Sequence, residues 1–395
     1  MPAVCLYFQV HQPIRLRRFS IFDIGKSGHY FDDEKNRFYL ERIVRKCYMP
    51  TNKKLLELIG TFGDKFRLSF SLSGILIEQL ERFFPDVLDS FQKLVDTGCV
   101  EIFNETYYHS LSYLISRREF LDQVRLHRKK IHSVFGVKAN VFRNTEAMYS
   151  NDIARLAEEM GYKAIIAEGL DHVLDWRSPN YLYKAKDSGI NVFLRNYKLS
   201  DDVAFRFSSR TWNEWPVTAE KFAAWLSSSQ GQVVNLFMDY ETFGEHQWPE
   251  TGIFDFLHHL PGESLKYQNV SFMTISDAIK AFGPVGEFDV PNICSWADVH
   301  RDLSAWLENS MQTHAFEEIK KLQPMLRKKK NIHLLDTWRK LQTSDHFYYM
   351  CTKWFADGDV HKYFNYYDTP YDAFLNYMNV LTDLKNRLEK KKLKQ

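Results

Sequence analysis

The stretch 235-NLFMDYETFGEHQW-248 begins with a short apolar run, Asn235 to Met238, and stops abruptly in Asp239, Glu241, Glu245 and His246. Four ionisable side chains in such close succession read equally as a metal cage, an acid/base site or a solvated turn. The run before them has the length of a buried strand. Three other runs end the same way. Val4–Val10 ends in His11-Gln12-Pro13. Val100–Phe103, which carries Glu101, ends in Asn104-Glu105-Thr106 and continues through Tyr107-Tyr108-His109. Ala139–Phe142 ends in Arg143-Asn144-Thr145-Glu146.

Working outward, further strand-length runs lie at Phe66–Leu72, Lys163–Ala167, Val192–Leu194 and Val270–Met273. Between them apolar residues recur at helical spacing over Phe38–Ile59, Ile75–Val95, Glu119–Val134, Asn151–Met160 and Ala219–Ser228. Repeated strand-then-helix order predicts a parallel sheet with helical crossovers. About seven such units over roughly 280 residues predict an α/β fold, a closed TIM-like (β/α) barrel that is complete or one unit short. An open doubly wound sheet is the rival, but no G-x-G-x-x-G turn follows the first strand. After Trp296 the pattern changes to long helical segments: Asp302–Leu326, Ile332–Trp354 and Pro370–Leu393. The expected division is a catalytic barrel over 1–295 and a helical region over 296–395 packed on it. The basic KNRLEKKKLKQ end reads as a solvated, frayed tail.

Composition narrows the function classes. Of 395 residues, 45% are apolar and 26% charged, ordinary values for a globular protein. Lys and Arg total 52 against 50 Asp and Glu, so no global field favours nucleic acid or an anionic membrane surface. The N-terminus has no basic n-region, and no apolar stretch reaches the ~18 residues needed to span a bilayer. Five scattered cysteines, Cys5, Cys47, Cys99, Cys294 and Cys351, are never in C-x-x-C spacing. They read as buried thiols of a reduced cytoplasm. The 15% aromatic content suits a large core or a surface that stacks on sugar rings.

In a barrel, strand C-termini converge on one face. Glu105, Glu146, Asp239 and Glu241 are then expected to meet there. Each alone reads as well as a first-turn acid of a helix; the convergence of all four points to a site. A metal hydrolase needs His ligands at regular spacing. The one formal match, His127 and His132, falls mid-helix with the rings splayed, and both read as surface histidines. A glycosidase needs two carboxyls across the scissile bond and aromatic platforms. Tyr107, Trp212, Trp215, Tyr240 and Trp248 are the candidate platforms.

At these residues the chain resembles glycoside hydrolase family 57, a family of α-amylases and 4-α-glucanotransferases. The matching segments are His11-Gln12-Pro13, 98-GCVEI-102, 144-NTEAMY-149, 237-FMDYETFGEH-246 and, more loosely, 295-SWADVHRDLSAWLEN-309; 344-SDHFYYM-350 extends the likeness into the helical region. The resemblance, closest to the compact α-amylase branch, implies a seven-unit barrel with a helical C-terminal part. It makes Glu146 the nucleophile and Asp239 the acid/base. Their carboxyls should then stand about 5–5.5 Å apart, as a retaining double displacement requires. Substrate-binding candidates are His11, Gln12, Glu101, Glu105, His109, Trp212, Tyr240, Glu241, His246, Trp248 and Asp298, with Asp302 the alternative to Asp298. The implied substrate is an α-1,4-linked glucan or maltooligosaccharide, with no metal and no cofactor. Flanking carboxylates are expected to raise the pKa of Asp239, with Glu241 and His246 as its supporting shell. Arg143 or His11 is expected to keep Glu146 ionised, although a structural salt bridge explains Arg143 equally well. Transfer of the glycosyl group to a sugar hydroxyl is the rival reaction. A non-catalytic glucan-binding protein is opposed by the retained Glu146 and Asp239. A metal-dependent polysaccharide deacetylase is opposed by the missing zinc-ligand spacing.

Overall fold

A computed structural model describes residues 2–353 and 365–389. Trp354, the expected end of one helix, and residues 390–395 of the basic tail lie outside the described residues. The strands are β1 Ala3–Val10, β2 Leu68–Leu72, β3 Val100–Ile102, β4 Val141–Phe142, β5 Ala164–Glu168, β6 Tyr183–Ala185, β7 Asn191–Arg195, β8 Val233–Asp239, β9 Ser271–Phe272 and β10 Glu287–Phe288. Every expected strand is present; β6 and β10 are additional.

Hydrogen-bonded ladders divide them into two five-stranded sheets rather than one closed ring. The first runs β3-β2-β1-β8 with β9 also on β1, and the second runs β10-β6-β7-β5-β4. Every pairing is parallel except β6 with β7. The sheets meet at two seams. A parallel bridge joins Asn104, past β3, to Phe142 in β4. Between β7 and β8, the Asn196 amide donates to the Asn235 carbonyl at 2.9 Å and the Asn235 side chain donates to the Leu194 carbonyl at 2.8 Å.

Period-2 alternation explains why β1 is buried on both faces. Val4, Leu6, Phe8 and Val10 join an outer core beneath the helices. Ala3, Cys5 and Tyr7 join an inner cluster with Phe103, Val141, Ile166, Phe193 and Phe237, so side chains from both sheets share it. One step beyond Tyr7 in the same direction stands Gln9, opposite Asp239 in register. The strand ends thus carry polar side chains on an apolar plug.

The expected helix Ile75–Val95 is two helices, Gly74–Phe83 and Pro85–Asp96. Proline disfavours helical backbone in the residue before it, and Phe84 takes φ −145°, ψ 62°. The helix Arg117–Phe135 starts at Ser116, whose hydroxyl accepts from the Glu119 amide, and stops at Gly136 in the left-handed region. On it His127 corrects the surface reading, because its face of the helix turns inward. It is fully buried, with Nε2 donating to the Leu72 carbonyl at 2.7 Å and Nδ1 accepting from the Glu105 amide at 3.1 Å. After Trp296 come short helices, Ser304–Leu307, Ser310–Lys321, Gln323–Lys329, Ile332–Lys340 and Ser344–Tyr348, and then the longer Pro370–Glu389. Their Trp306, Trp338, Phe347 and Tyr377 pack with Leu16, Phe19, Tyr30, Leu111 and Met148 from the first half of the chain. No described helix is long and apolar enough to cross a membrane.

Candidate active site

The C-terminal strand ends and the loops after them line one cleft: Gln9, His11, Gln12 and Pro13 after β1; His109 after β3; Glu146 after β4; Arg195 from β7; Asp239, Glu241, Thr242 and His246 from β8 onward. Trp296, Asp298, Arg301 and Asp345 close it from the helical side. Among the described residues, four of the eight non-glycine residues with positive φ line this cleft: His109 at 48°, Glu146 at 56°, Asp298 at 59° and Arg301 at 52°. Such backbone is unfavourable for residues with a Cβ and clusters where side chains must be aimed.

Glu146 is held from three sides. The Trp296 Nε1–H donates to Oε2 at 2.9 Å, the Ser344 hydroxyl donates to Oε1 at 2.9 Å, and His109 Nε2 stands 3.4 Å from Oε1. Burial opposes its charge, but the hydrogen bond and charge of His109, the charge of Arg143 and the Trp296 bond outweigh it. The carboxyl sits well below the usual carboxylate range. His109 in turn bonds Glu105 Oε2 through Nδ1 at 2.8 Å. Burial would neutralise the imidazole, yet its bonds to Glu105 and Glu146 raise it to about 9. Glu105, buried behind it, is lowered to about 2, because His109, His127 and Arg143 overcome its desolvation. The His11 ring stacks on His109 at 3.9 Å. Burial and the His109 charge lower His11, despite its 3.0 Å contact with Asp345.

Asp239 has the opposite environment. Its Oδ1 is buried without a hydrogen-bond partner among the described residues. Burial first, and the Glu146 charge second, push it up to about 6 against the pull of Arg143, His109 and Arg195. Glu241 is raised to about 8 by burial and by Asp239, with the Tyr48 hydroxyl donating to Oε1 at 2.5 Å. The third acid of this stretch, Glu245, faces away and pairs with Arg42 at 2.6 Å. Among the described residues no group of three or more His, Cys, Asp or Glu side chains is arranged to hold a metal ion.

The family model for glycosyl hydrolase family 57 matches residues 5–291. The chain belongs to this family. A curated relative called a putative alpha-amylase, from Methanocaldococcus jannaschii, is 44% identical over 392 residues, covering 95% of this chain and 82% of the relative. Among solved structures, a family 57 branching enzyme of Thermococcus kodakaraensis superposes with a TM-score of 0.68 at 16% identity, covering 98% of this chain and 90% of that one. A 4-alpha-glucanotransferase of Thermococcus litoralis gives 0.63 at 19% identity, covering 88% of this chain and 56% of that one.

Of the candidate site residues, His11, Gln12, His109, Glu146, Asp239, Glu241, His246 and Asp298 line this one cleft. Other candidates do not reach it. Glu101 lies four residues, two pleats, below Glu105, where it accepts from the Ser276 amide at 3.1 Å and from the Ser276 hydroxyl. Glu105 acts behind His109. Tyr240 alternates away from Asp239 into the outer core, its hydroxyl on Asn52 at 2.6 Å. Trp212 packs edge-on against Trp225, and Trp215 and Trp248 stand half-exposed outside the lining, near Arg210 and Lys46. Tyr107 closes over Gly74, where a Cβ would come within 2.5 Å of its ring, and bonds Glu78. Asp302 accepts from the Ser304 amide instead of facing the cleft. Arg143 makes no salt bridge to Glu146; the donors that the sequence reading missed are Trp296 and Ser344, and the nearby cation is His109, expected there only as a substrate-binding residue. Arg195 was also overlooked, although Val192–Leu194 ends in Arg195-Asn196 by the same strand-end rule. Trp296, Arg301 and Asp345 lie inside matched segments, yet nothing local singles them out.

Proposed function

We propose that this family 57 chain is a retaining hydrolase of α-1,4-glucosidic bonds, with Glu146 as nucleophile and Asp239 as acid/base. The observation that carries the reading is two carboxyls in one cleft with opposite ionisation, Glu146 held charged and Asp239 raised to about 6. In the first step Asp239 protonates the glycosidic oxygen, the C1–O bond breaks, and Glu146 Oε bonds C1 on the opposite face. In the second, Asp239 takes a proton from water, whose oxygen displaces Glu146 from C1. Trp296 and Ser344 bond the nucleophile's two oxygens, with His109 beside them. Phe205 and Trp296 are the large aromatics in the lining and the natural partners of a sugar ring.

The architecture that fits this role is an incomplete (β/α)7 barrel of β1–β5, β7 and β8, joined across the two seams, over 1–295. Residues 296–395 form a helical region that completes the cleft. Glycosyl transfer to a sugar hydroxyl is the second reading, favoured by the similarity to a named glucanotransferase. Incubation with defined maltooligosaccharides separates them: new reducing ends mark hydrolysis, and redistributed chain lengths without them mark transfer. Proton NMR at early times should show the α-anomer as the first released sugar. A β-anomer would exclude the glycosyl–Glu146 intermediate.

A further inference from the structure

Arg143 follows β4 and is fully buried, and none of its three guanidinium nitrogens has a hydrogen-bond partner among the described residues. A buried cation without hydrogen bonds is strongly unfavourable unless nearby charge compensates it. Its Cζ lies 4.6 Å from the centre of the Trp296 ring, whose Nε1–H holds Glu146. The groups that feel its charge are Tyr7, Glu105, Glu146 and Asp239.

We infer that Arg143 is a positioning residue, a counter-charge shared by Glu146 and Asp239 and seated against Trp296. The inference rests on the roles given above to those two carboxyls. In the first step the negative charge leaves Glu146 as its oxygen becomes an ester, and appears on Asp239 as that proton goes to the leaving oxygen. A guanidinium hydrogen-bonded to Glu146 would lose those bonds as the ester forms. One whose charge acts on both carboxyls while bonding neither serves the charge at both ends of its transfer, with no reorganisation. The other charges that act on Glu146 include His109 and Asp345. Around Asp239 they are His109 and Arg195, with the Glu241 carboxyl beside it titrating above it. None of them bears on the aromatic that bonds the nucleophile as closely as Arg143, although Arg195 lies 5.8 Å from the same ring.

The test is the alkaline limb of kcat/KM on a maltooligosaccharide, read with circular dichroism and Tm for each variant. Arg143→Met should lower kcat at least tenfold and move the limb upward by about one pH unit, the scale of one nearby opposite charge. Arg143→Lys keeps the charge and should leave the limb within about 0.2 unit of wild type, with reduced kcat. Trp296→Phe removes the donor to Glu146 alone, so kcat should fall with the limb unmoved. A folded Arg143→Met variant whose limb stays at the wild-type position overturns the inference. If Arg143→Met does not fold, Arg143→Gln replaces it with the same expectation, and a limb displaced in Arg143→Lys overturns the inference equally. Glu146→Gln separates the two levels. If it is inactive and the arginine variants show no limb shift, only the counter-charge fails. If it keeps a tenth or more of wild-type turnover, the nucleophile assignment itself fails.

Discussion

Glu146 and Ala147 are consecutive left-handed residues, at φ 56° and 48°. Each such conformation costs roughly 1–3 kcal/mol and persists where surrounding contacts over-determine it. The contacts are identifiable: Trp296 and Ser344 on the carboxyl, and the Trp296 amide on the Glu146 carbonyl at 3.2 Å. An amide oxygen can keep the Trp296 bond while the Ser344 hydroxyl turns to accept from the amide N–H, so Glu146→Gln should fold with a Tm close to wild type while turnover falls more than about a hundredfold. Turnover at a tenth of the wild-type rate would contradict the nucleophile role. The pH dependence follows from the partner acid. A raised carboxyl is protonated below its pKa, so Asp239 can donate below about 6 and loses that ability as pH rises through it. Glu146, lowered, is already ionised throughout that range. The kcat/KM profile should therefore decline above about pH 6, and a flat profile to pH 8 would remove Asp239 as the acid.

At the scale of elements, the strands were legible because burial on both faces writes a continuous apolar run, as in Val233–Met238, and a charge marks where it ends. β6 and β10 were not, being three and two residues long with Lys184 and Glu287 inside them. The site was legible where strand ends supply it, as at Asp239 and Glu146. It was illegible where distant side chains supply it: the Trp296 bond to Glu146 spans 150 positions. Aromatics misled for a related reason. Tyr240 and Trp212 have the composition of sugar platforms, but the pleat and the neighbouring Trp225 decide where they point. The C-terminal helices offer a direct measure of packing. Trp338 is buried at 1% exposure, and its indole N–H donates to the Ile319 carbonyl at 2.8 Å. Trp338→Ala should cost about 3–5 kcal/mol, read as a lowered urea midpoint. A loss under about 1 kcal/mol would mean the helices are held some other way.

Across the whole molecule, the helical region is both a wall of the cleft and a lid on the core. Removing everything after residue 295 takes Trp296, Asp298, Arg301, Ser344 and Asp345 from the cleft and uncovers Leu16, Phe19, Tyr30, Leu111 and Met148. Such a shortened chain should be insoluble, or bind an apolar dye while losing near-ultraviolet circular dichroism. Were it soluble, monomeric and fully active, the shared core would be wrong. The 198 positions between Glu146 and the Ser344 hydroxyl that grips it also set a delay during protein synthesis. At 5–20 residues per second, Glu146 is synthesised on the order of 10–40 s before this partner exists. Throughout that interval an unfinished chain carries Glu146 without its Ser344 bond, and the cleft stays incomplete until the C-terminal helices are made.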